Sequence, residues 1–183
     1  MGRYVAMLRS INIGSRNRIA MPDLRALVES LGYGDVTTYL QSGNVVLSGK
    51  GSASSVAGSI TEAIKDQLGL EVPVVVRTKS QLEKIAASSP YAEVEGDPKL
   101  FHVTFLAEAP KGESLKKLAG PPDRFGNDEF KVVGPDVYLY IPGGYGETKL
   151  NNSFFEKRLG VVATTRNWRS VTALAEMVGA ACP

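Results

Sequence analysis

Apolar positions along this chain switch between a two-residue and a three-to-four-residue period, and the switches divide it into short elements. Arg3 to Arg9 is a β-rich run that leads through a polar loop to Met21-Pro22-Asp23. Pro22 suits a first helical turn. Leu24, Leu27, Val28 and Leu31 then recur at helical spacing before Gly32, which predicts a helix over 22–31. Val36–Leu40 and Val45–Leu47 read as strands around Gln41-Ser42-Gly43-Asn44, a connection in which Gly and Asn tolerate the positive φ of a tight hairpin. The Gly/Ser-rich stretch 49–55 opens a second helical stripe of Val56, Ile60, Ile64 and Leu68, closed by Gly69, and Val72–Arg77 is a further strand. The order is βαββαβ.

The pattern then repeats. Ser80-Gln81-Leu82-Glu83 has the form of a capping box and opens a connecting helix. Pro90 to Pro98, with Glu93, Glu95, Gly96 and Asp97, has the composition of a solvated linker. Beyond it the periodicity predicts a strand over 100–106, a helix near 113–119, hairpin arms near 129–133 and 137–141, a helix near 149–159 and a strand over 161–165. A last helix follows Asn167, its expected cap, with Val171, Leu174, Ala175 and Val178 as the apolar stripe. The expected class is α+β: two tandem ferredoxin-like units with antiparallel sheets plus a C-terminal helix, divided into 1–92 and 93–183. Units this small are only marginally stable alone, so an apolar interface between them is expected.

Composition narrows the function more by exclusion than by indication. The 183 residues are 43% hydrophobic and 22% charged, with a net charge of +2, too small a surplus to identify a polyanion ligand unless the basic residues are segregated. Cys182 is the only cysteine, which excludes an intrachain disulfide and thiolate-rich zinc or iron–sulfur sites; an inert tail thiol is expected. The run Tyr4 to Leu8 is too short for a secretory segment, and the expectation is a cytoplasmic protein with no membrane anchor. His102 is the only histidine, so histidine-based triads and multi-histidine metal sites are excluded. Ser42 lacks the hydrolase elbow and reads as a turn residue. No metal and no cofactor are expected.

Three segments carry candidate chemistry. Arg3, Arg9, Arg16 and Arg18 all precede the first acid, Asp23, and the last three lie at or in a long loop that also holds Asn12, Gly14, Ser15 and Asn17, ahead of a helix start. Such a loop attracts anions, although a merely solvated basic loop has the same composition. Pro142-Gly143-Gly144-Tyr145-Gly146-Glu147-Thr148-Lys149 joins a strand to a helix without P-loop or Rossmann spacing; it is a phosphate cradle or a tight turn with Lys149 on the surface. In Thr164-Thr165-Arg166-Asn167-Trp168-Arg169 two arginines bracket the only tryptophan. Arginine grips phosphate and tryptophan stacks on planar groups, whereas a structural reading makes Asn167 a cap and Trp168 a core anchor.

Taken in order, Tyr4–Gly14, Tyr39–Val46 and Thr164–Arg169 resemble the bacterial family known as domain of unknown function 1697. The resemblance spans nearly the whole chain and implies the recurrent α/β layout but no reaction. The family pattern has Gly where this chain has Ser10, and often where it has Ser15, which implies a stiffer loop here. The combined expectation is a binding protein for a nucleotide, nucleic acid or other phosphorylated ligand, held in a basic cleft between the lobes. Arg9, Asn12, Gly14, Arg16, Arg18, Lys149, Arg166, Asn167 and Arg169 would hold the ligand, with Trp168 walling the pocket. The rivals are a metal-independent enzyme in the same cleft, with Tyr39, Tyr145 or His102 moving protons, and a structural or partner-binding protein.

Overall fold

The computed structural model describes residues 1–94, 97–119 and 124–180; Glu95 and Gly96 of the predicted linker and the tail thiol of Cys182 lie outside them. The chain forms two compact units. Met1–Ile85 is joined in the first by the segment from Ala173, and Ala86–Thr172 forms the second.

In the first unit, β1 (Gly2–Leu8), β2 (Gly34–Tyr39), β3 (Asn44–Gly49) and β4 (Val74–Thr78) form an antiparallel sheet of order β2-β3-β1-β4. Helices α1 (Met21–Ser30) and α2 (Ala53–Leu68) lay Leu24, Leu27, Val28, Val56, Ile60 and Ile64 against Tyr4, Ala6, Leu8, Val45, Leu47, Val74 and Val76. Full burial of each Leu, Ile or Val contributes about 1.5–3 kcal/mol, so the two helical stripes are what hold helix to sheet. Ser52 caps α2 by accepting a bond from the Ser55 N–H at 3.1 Å, and Gly69, at φ 66°, closes it.

Two local expectations shift. The positive φ values of the β2–β3 turn belong to Leu40 (58°) and Gly43 (75°), not to Asn44. Asn44 instead opens β3 fully buried and donates from Nδ2 to the Tyr39 carbonyl at 2.8 Å. Only glycine fits at 43, because a Cβ there would lie 2.5 Å from Ile11 Cδ1 and 2.9 Å from Leu8 Cβ. Helix α3 (Lys79–Ala87) starts earlier than its predicted box. The reciprocal pair is Thr78 and Gln81: the Gln81 N–H donates to Thr78 Oγ1 (3.3 Å), and the Thr78 N–H donates to Gln81 Oε1 (2.9 Å).

In the second unit a 3-10 turn (Pro98–Leu100) precedes β5 (Phe101–Leu106) and the short α4 (Gly112–Lys116). β6 (Glu129–Val133), β7 (Asp136–Tyr140), α5 (Asn152–Leu159), β8 (Ala163–Asn167) and α6 (Trp168–Gly179) follow. The antiparallel order is β6-β7-β5-β8. Leu106, Val137, Leu139, Ile141 and Ala163 of the sheet pack with Phe155 and Leu159 of α5, and Phe125, Phe130 and Phe154 add edge-to-face contacts. Asn167 Oδ1 accepts from the Ser170 N–H at 2.8 Å, which is the cap expected for the last helix. Asn151 caps α5 through the Phe154 N–H, so Lys149 stands outside that helix instead of at its first turn.

Helix α6 divides between the units, whereas the sequence reading keeps it whole and places one boundary at 92/93. Its last carbonyls explain its attachment to the first unit. Arg3 Nη1 donates to the Ala180 carbonyl, Arg3 Nη2 to Met177 (3.2 Å) and Lys79 Nζ to Gly179 (3.3 Å). These cations satisfy acceptors that a helix C-terminus leaves unpaired and meet the negative end of its dipole. No described helix is long and apolar enough to cross a membrane.

Candidate functional site

The loop between β1 and α1 takes its shape from Asn12. Its Nδ2 donates to the carbonyls of Ile19 (2.9 Å) and Gln41 (2.8 Å), and its Oδ1 accepts from the Ile19 N–H (3.0 Å). The backbone adds a bond from the Asn12 N–H to the Asn17 carbonyl, and Ile13 bridges Arg16. Ser10, Asn12, Gly14 and Asn17 all have positive φ, the cost of folding a polar loop back so tightly. Asn12 therefore acts as a clamp, with its amide already engaged. Arg9 is half-buried and bonds Ser10 Oγ, while Arg16 and Arg18 are exposed, the latter touching the Gly14 carbonyl. They stand beside the start of α1, where Ala20 gives no side-chain cap.

In the second unit the predicted residues separate by role. Arg166 is 7% exposed, and its Nη1 donates to Thr164 Oγ1 (2.8 Å) and to the Thr165 carbonyl (2.9 Å). Burial lowers its pKa to about 10, with Tyr145 acting in the opposite direction, so the guanidinium remains charged at neutral pH. Tyr145, in the glycine loop, stacks on His102 with ring centroids 4.7 Å apart. His102 is buried, its Nδ1 has no hydrogen-bond partner among the described residues, and desolvation lowers its pKa to about 4 despite the Leu100 backbone. The imidazole is neutral at physiological pH. Thr104 and Thr165 continue the polar chain on the sheet face of His102, and Asn152 of α5 extends it: the two threonine hydroxyls lie 2.7 Å apart, and Thr165 donates to Asn152 Oδ1 at 2.7 Å.

The glycine loop is a turn at one position only. Gly144 has φ 87°; Gly143 and Gly146 have neither a positive φ nor a neighbour that a Cβ would meet within 4 Å. Lys149 is exposed, as is Arg169 at the start of α6. The nearby hollow of Gly126, Asp128, Glu129 and Pro142 is acidic, which disfavours phosphate there.

Trp168 is half-buried and lines a cavity of about 360 Å³ with Tyr91, Phe101, Ala86, Ala87, Ser89 and Pro98. Tyr91 carries the Lys131 ammonium 4.6 Å from its ring centroid, and that ammonium also bonds the Pro90 carbonyl. Sequence reading passed over Tyr91 and Phe101, which lie in a predicted linker and a predicted strand without a motif. It also passed over Arg77, which is 3% exposed in β4 and bonds the Val76 carbonyl as Arg166 bonds Thr165. A charged residue near a strand end carries no local sign of burial. Among the described residues no cluster of three or more His, Cys, Asp or Glu could hold a metal ion.

A solved structure described as a conserved bacterial protein from Streptococcus pneumoniae matches with a TM-score of 0.67 at 16% identity, covering 97% of this chain and 98% of that one. At that identity the likeness concerns the fold. No curated protein matches the chain. The family model described as "Protein of unknown function (DUF1697)" matches residues 1–138, which takes in the Asn12 loop and stops before Arg166. The chain belongs to that family.

Proposed function

We propose that this protein binds a phosphate-bearing ligand, a nucleotide or nucleic acid, and that the exposed arginines of the β1–α1 loop make the first contact with its phosphate. The observation that carries this reading is the pairing of a clamped loop with free cations. Asn12 holds the backbone rigid through three side-chain bonds, while Arg16 and Arg18 remain in solvent beside an uncapped helix start with no acid before Asp23. A pre-shaped loop loses little entropy on binding, and its cations are not consumed by internal carboxylates. Arg166 is spoken for by Thr164 and Thr165, so it serves the fold of β8 in this reading, and of the second-unit cations singled out in the sequence Lys149 and Arg169 are exposed. A cytoplasmic location accords with such a ligand.

The same proposal reads each unit as a ferredoxin-like repeat of a duplicated ancestor. Equal strand orders support it, as does the matching of Arg77 opposite Val5 with Arg166 opposite Val103.

The experiment is a thermal-shift titration with pyrophosphate, AMP and short RNA on the wild type and on the double variant Arg16→Ala/Arg18→Ala. Both side chains are exposed, so the variant keeps its fold. A ligand at 100 times its Kd stabilises by about 2.7 kcal/mol. Loss of that shift in the variant supports the reading, and equal shifts sink it. RNA binding that is insensitive to salt between about 50 and 200 mM would also count against it.

A second reading, a metal-independent enzyme, is favoured by the stacking of His102 on Tyr145 and the electrostatic coupling of Tyr145 to Arg166. Turnover of a phosphorylated substrate that disappears in Tyr145→Phe while binding persists would establish it.

A further inference from the structure

We infer that the tip formed by Ile13 and Leu40 is an apolar wedge for the minor groove of a DNA duplex, flanked by Arg16 and Arg18 on its phosphates. The phosphate contacts rest on the reading above, the wedge on the geometry of two loops of the first unit. Apart from Met1 at the terminus, Ile13 and Leu40 are the most exposed large hydrophobic residues described, at 70% and 54%. Leu40 also has φ 58°, a conformation that its Cβ disfavours, so this leucine is both strained and in water. Of the five described non-glycine residues with positive φ, four (Ser10, Asn12, Asn17 and Leu40) belong to the same two loops. A fold with no use for this tip gains nothing from the strain or from the exposure.

The two loops are fastened together at one end of the sheet, where β1 leaves and β3 enters. Asn12 Nδ2 reaches the Gln41 carbonyl at 2.8 Å, one residue beyond Leu40, and Gly43 lies so close to Ile11 and Leu8 that a Cβ would clash with both. Ile13 and Arg16 form a β-bridge around Gly14 and Ser15, so their side chains leave the same face of a small hairpin with Cβ atoms about 5 Å apart. Arg18 joins them by donating from Nη2 to the Gly14 carbonyl at 3.3 Å. Two apolar side chains that stand out of the surface call for a recess in the partner, and the guanidiniums beside them call for negative charge on its rim. The minor groove of a duplex supplies both: its potential attracts arginine, and Ile and Leu are among the side chains that part a base step there. A single strand is held chiefly by aromatic stacking, which aliphatic side chains do not supply. A bilayer fits poorly, since the exposed Gln41 and Ser42 and the irregular backbone of the tip would carry their polar groups into hydrocarbon.

The full chain is titrated into a short A·T-rich DNA duplex with a donor and an acceptor dye at its two ends, so that anisotropy reports binding and energy transfer reports bending. Saturable binding with increased transfer is expected. Ile13→Ala/Leu40→Gly removes the wedge and relieves the backbone at Leu40, so its melting temperature should not fall. This variant should bind the duplex about tenfold or more weakly, leave it unbent, and keep the wild-type slope of log Kd against log salt. Arg16→Ala/Arg18→Ala should instead flatten that slope by about 1.8. Equal affinity and equal bending in the wedge variant overturn the inference and leave the phosphate reading standing. A wild-type slope in the arginine variant removes the phosphate reading, while loss of bending in the wedge variant still marks the groove contact. Failure of the wild type to bind the duplex overturns the inference, and a melting shift with pyrophosphate in the same protein then keeps phosphate binding. Tighter binding of the same sequence as a single strand, or binding to phosphatidylserine vesicles alone, also overturns it.

Discussion

Asn12 and Ile19 hold each other reciprocally: the Asn12 amide donates to the Ile19 carbonyl at 2.9 Å and accepts from the Ile19 N–H at 3.0 Å. A side chain thus imitates a strand partner and closes the β1–α1 loop. Asn12→Ala leaves both Ile19 groups and the Gln41 carbonyl without this partner and keeps a φ of 56° that alanine dislikes. The expected loss is about 2–4 kcal/mol in urea unfolding. Asn12→Gly relieves the backbone but not the bonds and should fall between the two.

Ser10 has φ 54° with a side chain present. Ser10→Gly removes the left-handed penalty at the cost of unfolded-state entropy and of one bond from Arg9. A net stabilisation of about 0.5 kcal/mol is expected from the urea midpoint at unchanged m. A clear destabilisation would mean that the Arg9 contact matters more than the strain.

For α3, Thr78→Val should cost about 0.5–2 kcal/mol, because it removes the acceptor for the Gln81 N–H. Glu83→Ala, at the residue that sequence pattern alone selects as the box partner, should change stability by less than about 0.5 kcal/mol, since Glu83 is exposed and its pair with Lys79 spans 3.8 Å. The reverse order of effects would restore the Ser80 box.

His102 makes stability depend on pH in a definite direction. Its pKa falls from 6.5 to about 4 on folding, so between those values the unfolded chain binds a proton that the folded chain refuses. Stability rises with pH through that window and is lost as pH falls from about 6.5 towards 4, by about 1–3 kcal/mol. His102→Phe removes this component. Unfolding free energies at pH 7.5 and 4.5 should differ less in the variant than in the wild type, and equal differences would place the acid sensitivity elsewhere.

The strands, the sheet-covering helices α1, α2 and α5 and the Asn167 cap were legible because each is decided by residues a few positions apart. Leu24, Leu27 and Val28 mark a helix whatever they later touch, and Asn167 caps a turn that it itself begins. The capping box slid by two residues because Thr78-x-x-Gln81 and Ser80-x-x-Glu83 have the same local form, and only strand β4, ending at Thr78, chooses between them. The candidate site was less legible: the loop arginines were marked by their charge, but Tyr91 and Phe101 bear no motif.

By itself, then, the sequence determined the order of elements, the family and the residues able to carry charge or stack. Only the tertiary structure decided what those residues are free to do. Arg16, Arg77 and Arg166 are alike as letters, yet Arg16 is in solvent while Arg77 and Arg166 are 3% and 7% exposed. Periodicity reports on neighbours along the chain, whereas burial and the sharing of a cavity wall depend on residues brought together from far along it. Trp168 meeting Tyr91, and Arg3 meeting the end of α6, are of that second kind.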